Sequence, residues 1–188
     1  MTSDGSSRTL YLVVTGAPLT RFVHRGVVEA RALGWQAAII ATAAASKWLD
    51  RKELERSGVP LVSDHREPDS NKRLPQPSAV VLAPGTFNTI NKLAAGIADT
   101  YALSVLCESL GERRTMVVVP FVKHALAGHP AWASSLETLR RSGVQLLDPH
   151  TGSPGAGAPL ESGTGEGVAA AFKWRWILDA LPVEHRDR

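Results

Sequence analysis

AVVLAPGTFNTINKLAAGIAD, residues 79–99, is the stretch that decides the fold, because a buried strand, a polar turn and a helix follow one another in it. Ala79–Ala83 is apolar at every position, which is typical of a parallel strand covered by helices on both faces. The turn that follows is rich in Thr and Asn, whose short side chains offer hydrogen-bond donors and acceptors. Helix capping by Thr86 or Asn88 would explain one of these polar residues but not all of them. The corner is therefore suited to hold a polar ring edge or a phosphate.

Similar apolar runs recur along the chain, with helical patterns between them. The predicted strands are Leu10–Val14, Gln36–Thr42, Val59–Val62, Ala79–Ala83, Thr115–Val119 and Val144–Leu147. The predicted helices are Arg21–Leu33, Ala44–Ser57, Thr89–Ala98, Ala102–Leu110, Ala131–Ser142 and Gly167–Leu181. This alternation predicts an α/β fold with three layers, α/β/α, around a doubly wound parallel sheet of about six strands, Rossmann-like or flavodoxin-like. Gly34, Gly58 and Gly143 directly follow three of the helices, where a left-handed residue is needed.

Length and composition predict one domain. With 188 residues and 44% hydrophobic side chains, the chain can bury a good core. We expect a flexible N-terminus over residues 1–8, a single domain over residues 9–182 and a polar C-terminal tail over residues 183–188. Within the domain, residues 150–167 are rich in glycine and are predicted to form a loop or flap.

Composition disfavours several classes of protein. The longest apolar runs are far shorter than the ~20 residues of a membrane helix, and no signal-peptide pattern precedes them. Cys107 is the single cysteine, which excludes an intrachain disulfide and a cysteine-based zinc site and favours a cytoplasmic location. Its apolar helical surroundings predict a packed core thiol. The net charge of +3 is spread over scattered basic pairs, so no nucleic-acid partner is expected.

The turn after the first strand has one glycine ahead of a helix. Gly16 would let backbone N–H groups approach an anion at the helix N-terminus, although an ordinary helix-starting turn has the same sequence. The G-x-G-x-x-G and G-x-x-x-x-G-K-[ST] fingerprints are both absent. A nicotinamide enzyme and a P-loop NTPase are therefore disfavoured.

The polar corner resembles the P-A-[ST]-x-N-T-x-x-K-x-x-x-G-x-A-[DN] motif of the homo-oligomeric flavin-containing cysteine decarboxylases. This family includes lantibiotic-peptide cysteine decarboxylases and phosphopantothenoylcysteine decarboxylases. The positions in register are Pro84, Thr86, Asn88, Thr89, Lys92, Gly96, Ala98 and Asp99, with Gly85 where alanine is usual. The resemblance extends over roughly residues 10–149. It implies an FMN cofactor bound between the subunits of a homotrimer or a dodecamer.

The resemblance also assigns contacts to the cofactor. Three residues of the first two turns would contact the FMN phosphate: Gly16, Ala17 and Thr42. Residues of the polar corner would lie near the flavin ring, with Thr86, Asn88 and Thr89 in contact with it. Pro84, Gly85 and Lys92 complete the expected cofactor-binding set.

A second family motif, P-x-M-N-x-x-M-W-x-x-P, is matched only at its two prolines, Pro120 and Pro130. Lys123 stands at the asparagine position, Leu126 at the second methionine and Ala127 at the tryptophan. That asparagine is associated with the substrate carboxylate, so Lys123 is expected to pair with this anion as a point charge. The alternative for Lys123 is an ordinary solvated lysine.

The family's catalytic histidine should lie near Ser70 by spacing, where this chain has no histidine. His65, a few residues upstream, would take the role if the loop is longer, and is otherwise a surface histidine. The flap of the phosphopantothenoylcysteine branch contains a cysteine, which residues 155–167 lack. That branch is therefore the weaker match.

The sequence thus predicts a flavin-dependent oxidative decarboxylase or related oxidoreductase. Its substrate would be a cysteine-type thiol-carboxylate, either free or at a peptide C-terminus, and its catalytic candidates are His65, Lys123 and Asn88. The alternative is a catalytically inert flavin-binding subunit of the same fold. A prenyl-transferring flavoprotein is disfavoured, because Gly16–Pro18 replaces the Gly/Ser-rich first turn expected there.

Overall fold

The computed structural model describes residues 8–65 and 74–182, which fold around a sheet of parallel strands. The strands are β1 (Thr9–Val14), β2 (Gln36–Ala41), β3 (Leu61–Val62), β4 (Ala79–Gly85), β5 (Thr115–Pro120) and β6 (Gln145–Leu146). Their order in the sheet is β3-β2-β1-β4-β5-β6. β1 and β4 lie side by side at the centre, with Leu10 paired to Ala79 and Val13 to Leu82. The predicted parallel sheet of six strands is confirmed.

Helices cover both faces of this sheet. They are α1 (Val23–Ala32), α2 (Arg51–Ser57), α3 (Phe87–Ala94), α4 (Tyr101–Gly111), α5 (His124–Ala127), α6 (Pro130–Arg141), α7 (Gly165–Ala171) and α8 (Arg175–Ala180). One core lies between the sheet and helices α1, α2, α7 and α8, and a second lies between the sheet and helices α3, α4 and α6. The three-layer, doubly wound architecture is therefore confirmed.

The predicted helix Gly167–Leu181 is wrong as one element, because the chain forms α7 and α8 with a break between them. Phe172 has an extended backbone at the break, with φ −61° and ψ 131°. The break lets the rings of Phe172 and Trp174 both enter the core, where their centroids lie 5.6 Å apart. Burial of two large rings outweighs the continuation of one helix.

The predicted helix Ala44–Ser57 is also interrupted. Ala45–Lys47 forms a single 3-10 turn, and α2 begins only at Arg51. The Asp50 carboxylate accepts a hydrogen bond from the Glu53 N–H at 3.2 Å, so it caps the true start of the helix. The helix predicted from Arg21 similarly begins with a 3-10 turn, Pro18–Phe22, ahead of α1.

The glycine-rich segment is shorter as a loop than predicted, because α7 already begins at Gly165. The loop is anchored at its centre by Leu160, which is buried beside the end of β5. The Leu160 N–H donates to the Val122 carbonyl at 2.8 Å, and the His124 N–H donates to the Leu160 carbonyl at 2.9 Å. Backbone pairing thus fixes this loop against the carboxyl end of β5.

The glycines predicted after three helices have the left-handed backbone they were expected to have. The φ angles of Gly34, Gly58 and Gly143 are +80°, +57° and +86°. Residues 1–7 of the predicted flexible N-terminus and the predicted tail, 183–188, lie outside the described residues. Across the described part of the chain, no helix is both long and apolar enough to cross a bilayer.

Candidate functional site

A buried hydrogen bond joins the turn after β1 to the end of β4 at the carboxyl edge of the sheet, and a second one lies within that turn. The Thr15 hydroxyl donates to the Pro84 carbonyl at 2.7 Å, and the Thr20 hydroxyl donates to the Thr15 carbonyl at 2.5 Å. Both threonine side chains are buried. Because a buried polar group is costly unless it is paired, the first bond holds the turn after β1 against the end of β4, and the second fixes the turn itself.

The turn after β1 also packs against the turn after β2. A Cβ atom placed on Gly16 would lie 2.9 Å from the Ala44 Cβ and 3.2 Å from the Ala44 carbonyl oxygen, so only glycine fits there. The Thr42 hydroxyl accepts a hydrogen bond from the Ala45 N–H at 3.3 Å. Among the described residues, the N–H groups of Gly16, Ala43 and Ala44 make no backbone hydrogen bond. Unpaired N–H groups beside a glycine form a cradle that suits a phosphate.

The first turn of α3 is open to a ligand. Thr86 occupies the N-cap position, but its hydroxyl lies 3.2 Å from the Thr89 hydroxyl and caps no backbone N–H within the described residues. Asn88 is exposed, and its side chain makes no hydrogen bond in that part of the chain. Capping therefore does not account for these polar side chains, and their donors and acceptors remain available to a flavin-sized polar ring.

Three other cofactor candidates have contacts within the protein. The Pro84 carbonyl is the acceptor for Thr15. A Cβ on Gly85 would lie 3.0 Å from the Ile90 side chain, so this glycine lets α3 pack close to β4. Lys92 forms a salt bridge of 2.5 Å with Asp99, which joins α3 to the loop before α4. Pro84, Gly85 and Lys92 thus shape the corner, and their contact with a cofactor stays a prediction. Ala17 is buried in the turn after β1, and its contact with a cofactor also stays a prediction.

Lys123 lies where the chain leaves β5. It is the N-cap residue of α5, a helix of four residues that the sequence did not predict, and its side chain is exposed. Its backbone pairs with Leu160 of the glycine-rich loop. The Lys123 ammonium group makes no salt bridge among the described residues, so it is available to an anion at this edge.

The structure adds an aromatic cluster that sequence reasoning missed, at the same edge of the sheet, between the start of α3 and the start of α6. The Phe87 ring stacks on the Trp132 ring, with centroids 5.9 Å apart and an interplanar angle of 28°. The His129 ring meets Phe87 edge-on at 5.7 Å. The one available signal was a histidine directly before Pro130, a position that favours a helix cap.

His65 lies in different surroundings from the cofactor candidates. Its ring contacts Tyr101 edge-on at 5.4 Å, and it lines a cavity of about 490 Å³ that none of those candidates lines. Tyr11 lines the same cavity, where burial and the nearby Tyr101 raise its pKa to about 12. The positive charge of Arg114 lowers this pKa, but by less. The structure thus does not bring His65 to the cofactor candidates. The position near Ser70 lies outside the described residues.

Cys107 packs, half-buried, against the core beneath α3, α4 and α6. Burial, and to a smaller extent Glu108, raises the pKa of its thiol. A thiol with a raised pKa is a poor nucleophile at neutral pH, which agrees with the packing role predicted for it.

Comparison with known proteins gives a family and a fold. The model of the family described as Flavoprotein matches residues 2–181. A cysteine/cysteine sulfinic acid decarboxylase from an unknown prokaryotic organism is 35% identical over 77 residues, which are 41% of this chain and 21% of that protein. The chain spans about a fifth of the length of the curated relatives it matches.

Two solved structures superpose over almost the whole chain. The FMN-dependent cysteine decarboxylase SpaF is 22% identical with a TM-score of 0.64, covering 93% of this chain and 98% of its own. The FMN binding protein AtHal3 is 18% identical with a TM-score of 0.66, covering 94% of this chain and 100% of its own. At these identities the likeness establishes the shared fold.

Proposed function

Because this chain belongs to the flavoprotein family, we propose that it binds FMN at the carboxyl edge of its sheet and oxidatively decarboxylates a cysteine-type thiol-carboxylate. The substrate is a free molecule or the C-terminus of a peptide. Supporting this proposal, SpaF is an FMN-dependent cysteine decarboxylase, and the motif from Pro84 to Asp99 is in register with that class of enzyme.

One observation carries the proposal: an anion cradle and an open polar corner lie side by side. The Thr15 hydroxyl ties the turn that contains Gly16 to the end of β4, from which Asn88 follows. The cradle of Gly16 and Ala44 suits the FMN phosphate, and Asn88 suits the polar edge of the ring. The contacts assigned to Ala17, Thr42, Pro84, Gly85, Thr86, Thr89 and Lys92 belong to the same proposal.

When bound, FMN supplies the two-electron oxidation of the thiol-bearing carbon, which leaves a thioaldehyde β to the carboxylate and so lets CO2 depart. Lys123 holds the substrate carboxylate by charge, and Asn88 orients the ring by hydrogen bonding. The proton-transfer role expected of His65 stays a prediction outside this mechanism, because its ring packs on Tyr101 in a cavity that none of the cofactor candidates lines.

We also propose that the protein is cytoplasmic and forms a homo-oligomer, either a trimer or a dodecamer. Asn88, Ala43 and Ala44 are exposed in the single chain. None of the three cavities described for the chain is lined by these residues. A second copy seated over this edge would exclude water from the bound ring, which the chemistry requires.

The test is to incubate the FMN-loaded protein anaerobically with a peptide that ends in cysteine, and with the same peptide ending in serine. The expected result is bleaching of the flavin and loss of CO2 with the cysteine peptide alone. If neither the cysteine peptide nor free cysteine compounds bleach the flavin, the proposed decarboxylase activity is contradicted.

The second candidate is a catalytically inert flavin-binding subunit. Lys123 favours it, because a flexible ammonium group stands where the related enzymes have an amide of fixed geometry. This candidate predicts a yellow protein whose flavin no thiol substrate bleaches, so the same incubation separates the two functions.

A further inference from the structure

An aromatic wall stands beside Asn88 at the carboxyl edge. It consists of Phe87 on α3 and of Trp132 and His129 at the start of α6. Trp132 is buried and supports the Phe87 ring from the core side. Phe87 is half-buried, and His129 is exposed. Since Phe87 directly precedes Asn88, this wall adjoins the residue proposed to meet the flavin ring.

The His129 ring is held in one orientation by a backbone contact. Its Nδ1 accepts a hydrogen bond from the Ala131 N–H at 3.1 Å, which caps α6. A neutral imidazole whose Nδ1 is an acceptor has its proton on Nε2. His129 therefore presents an N–H donor at Nε2.

This donor is not used within the described protein. The Nε2 atom of His129 has no hydrogen-bond partner among residues 8–65 and 74–182. By contrast, His65 contacts Tyr101, and His150 uses its Nε2 atom in a 3.2 Å contact with the Ala158 carbonyl. A ring fixed by a cap and by Phe87 loses little further freedom when it binds, which favours its use as a ligand contact.

We propose that His129 binds the ligand of this edge by donating a hydrogen bond from Nε2 to an acceptor oxygen, with the Phe87–Trp132 stack as its support. The oxygen belongs either to the flavin ring or to the substrate carboxylate. The inference rests on the proposed function, because it takes that ligand to be FMN or a thiol-carboxylate. It gives this chain a ligand contact at a variable position of the second family motif, directly before Pro130.

The experiment compares two substitutions that separate the two functions of the His129 ring, which are capping of α6 by Nδ1 and hydrogen-bond donation by Nε2. In His129→Asn the short amide oxygen can still cap α6, but no donor reaches the Nε2 position. In His129→Gln the longer amide places an N–H₂ group near the Nε2 position. His124→Asn is the matched control, because His124 is an exposed histidine of the same connection with no side-chain hydrogen bond in the described protein.

Two quantities are measured for each variant: the dissociation constant of FMN, and the concentration of N-acetylcysteine that half-saturates flavin bleaching. Loss of a neutral hydrogen bond should raise either the FMN dissociation constant or the half-saturating N-acetylcysteine concentration about tenfold in His129→Asn. The rise should be about threefold or less in His129→Gln, and His124→Asn should match wild type. A change in the first quantity assigns the oxygen to the flavin, and a change in the second assigns it to the substrate.

The outcomes separate this inference from the proposed function. If wild-type protein takes up no FMN, the proposed function and this inference are both wrong. If wild-type protein binds FMN but neither N-acetylcysteine nor a peptide ending in cysteine bleaches it, decarboxylation is wrong, and an FMN dissociation constant unchanged by His129→Asn then overturns the inference. If wild-type protein bleaches and His129→Asn changes neither quantity, the inference alone is overturned.

Discussion

The two halves of the carboxyl edge are built differently. In the first half, which comprises the turns after β1, β2 and β4, buried hydroxyl bonds such as Thr15 to Pro84 fix the turn after β1, and the motif after β4 matches that of the related enzymes. In the second half, the connection after β5 presents the exposed side chains of Lys123 and His129 and departs from the second family motif. This is the difference that the proposed function predicts if the contacts to FMN are kept while the contacts to substrate have changed.

The largest effect is expected from Gly16→Val in the first half. The valine Cβ would lie 2.9 Å from the Ala44 Cβ, so the turn after β1 would have to open. Opening the turn costs about 1–3 kcal/mol, and FMN binding should weaken roughly tenfold to 100-fold. Fluorescence titration of FMN measures this. Gly165→Ala is the control, because the nearest atom to its Cβ would be Pro18 Cγ at 3.6 Å, and FMN binding should not change.

Thr15→Val tests whether the first half is locked as described. The valine has no donor for the Pro84 carbonyl, so the free energy of unfolding should fall by about 1–3 kcal/mol. Urea denaturation followed by circular dichroism measures it. Thr15→Ser keeps the hydroxyl and should recover most of the loss; equal stability of the valine variant and wild type would contradict the lock.

Lys123→Gln tests the second half, where the expected effect is on the substrate alone. Removing the charge should raise the substrate concentration for half-maximal bleaching about tenfold, while the FMN dissociation constant stays the same. Because Lys123 is exposed, the difference from wild type should shrink as salt is added. Lys52→Gln, an exposed lysine on α2, serves as control, and equal effects of the two substitutions would exclude a specific role for Lys123.

The smallest effect is expected from His65→Ala. His65 lines the cavity beside Tyr101 and Arg114, away from the residues of either half, so the bleaching rate should change by less than about threefold. Stopped-flow bleaching measures the rate. A drop of about 100-fold would place His65 in catalysis and would contradict its separation from the cofactor candidates.

Most of the fold could be predicted from the sequence. Ala79–Ala83 is apolar at every position, and a strand buried on both faces leaves that pattern wherever it occurs. The predicted helix Gly167–Leu181 was wrong because its periodicity does not reveal that Phe172 and Trp174 gain more by burial than by continuing the helix. The family match confirms the resemblance that the corner from Pro84 to Asp99 suggested.

The site was predictable only where a local motif exists. The residues after β4 lie next to one another in sequence, so Thr86, Asn88 and Thr89 could be proposed as cofactor contacts from the motif register, and they stay a prediction. His129 could not, because its contact with Phe87 joins two helices that only tertiary packing brings together. Likewise, nothing in the sequence around Thr15 indicates that its hydroxyl reaches the Pro84 carbonyl.

The central claim, that the cradle at Gly16 and the corner at Asn88 hold FMN, is tested most directly by the visible absorption spectrum of the purified chain after addition of FMN and removal of the excess. A yellow protein that releases FMN on denaturation is the predicted result, with the colour greatly reduced in Gly16→Val. A colourless wild-type protein would contradict the claim, as would a Gly16→Val protein that retains as much flavin as wild type.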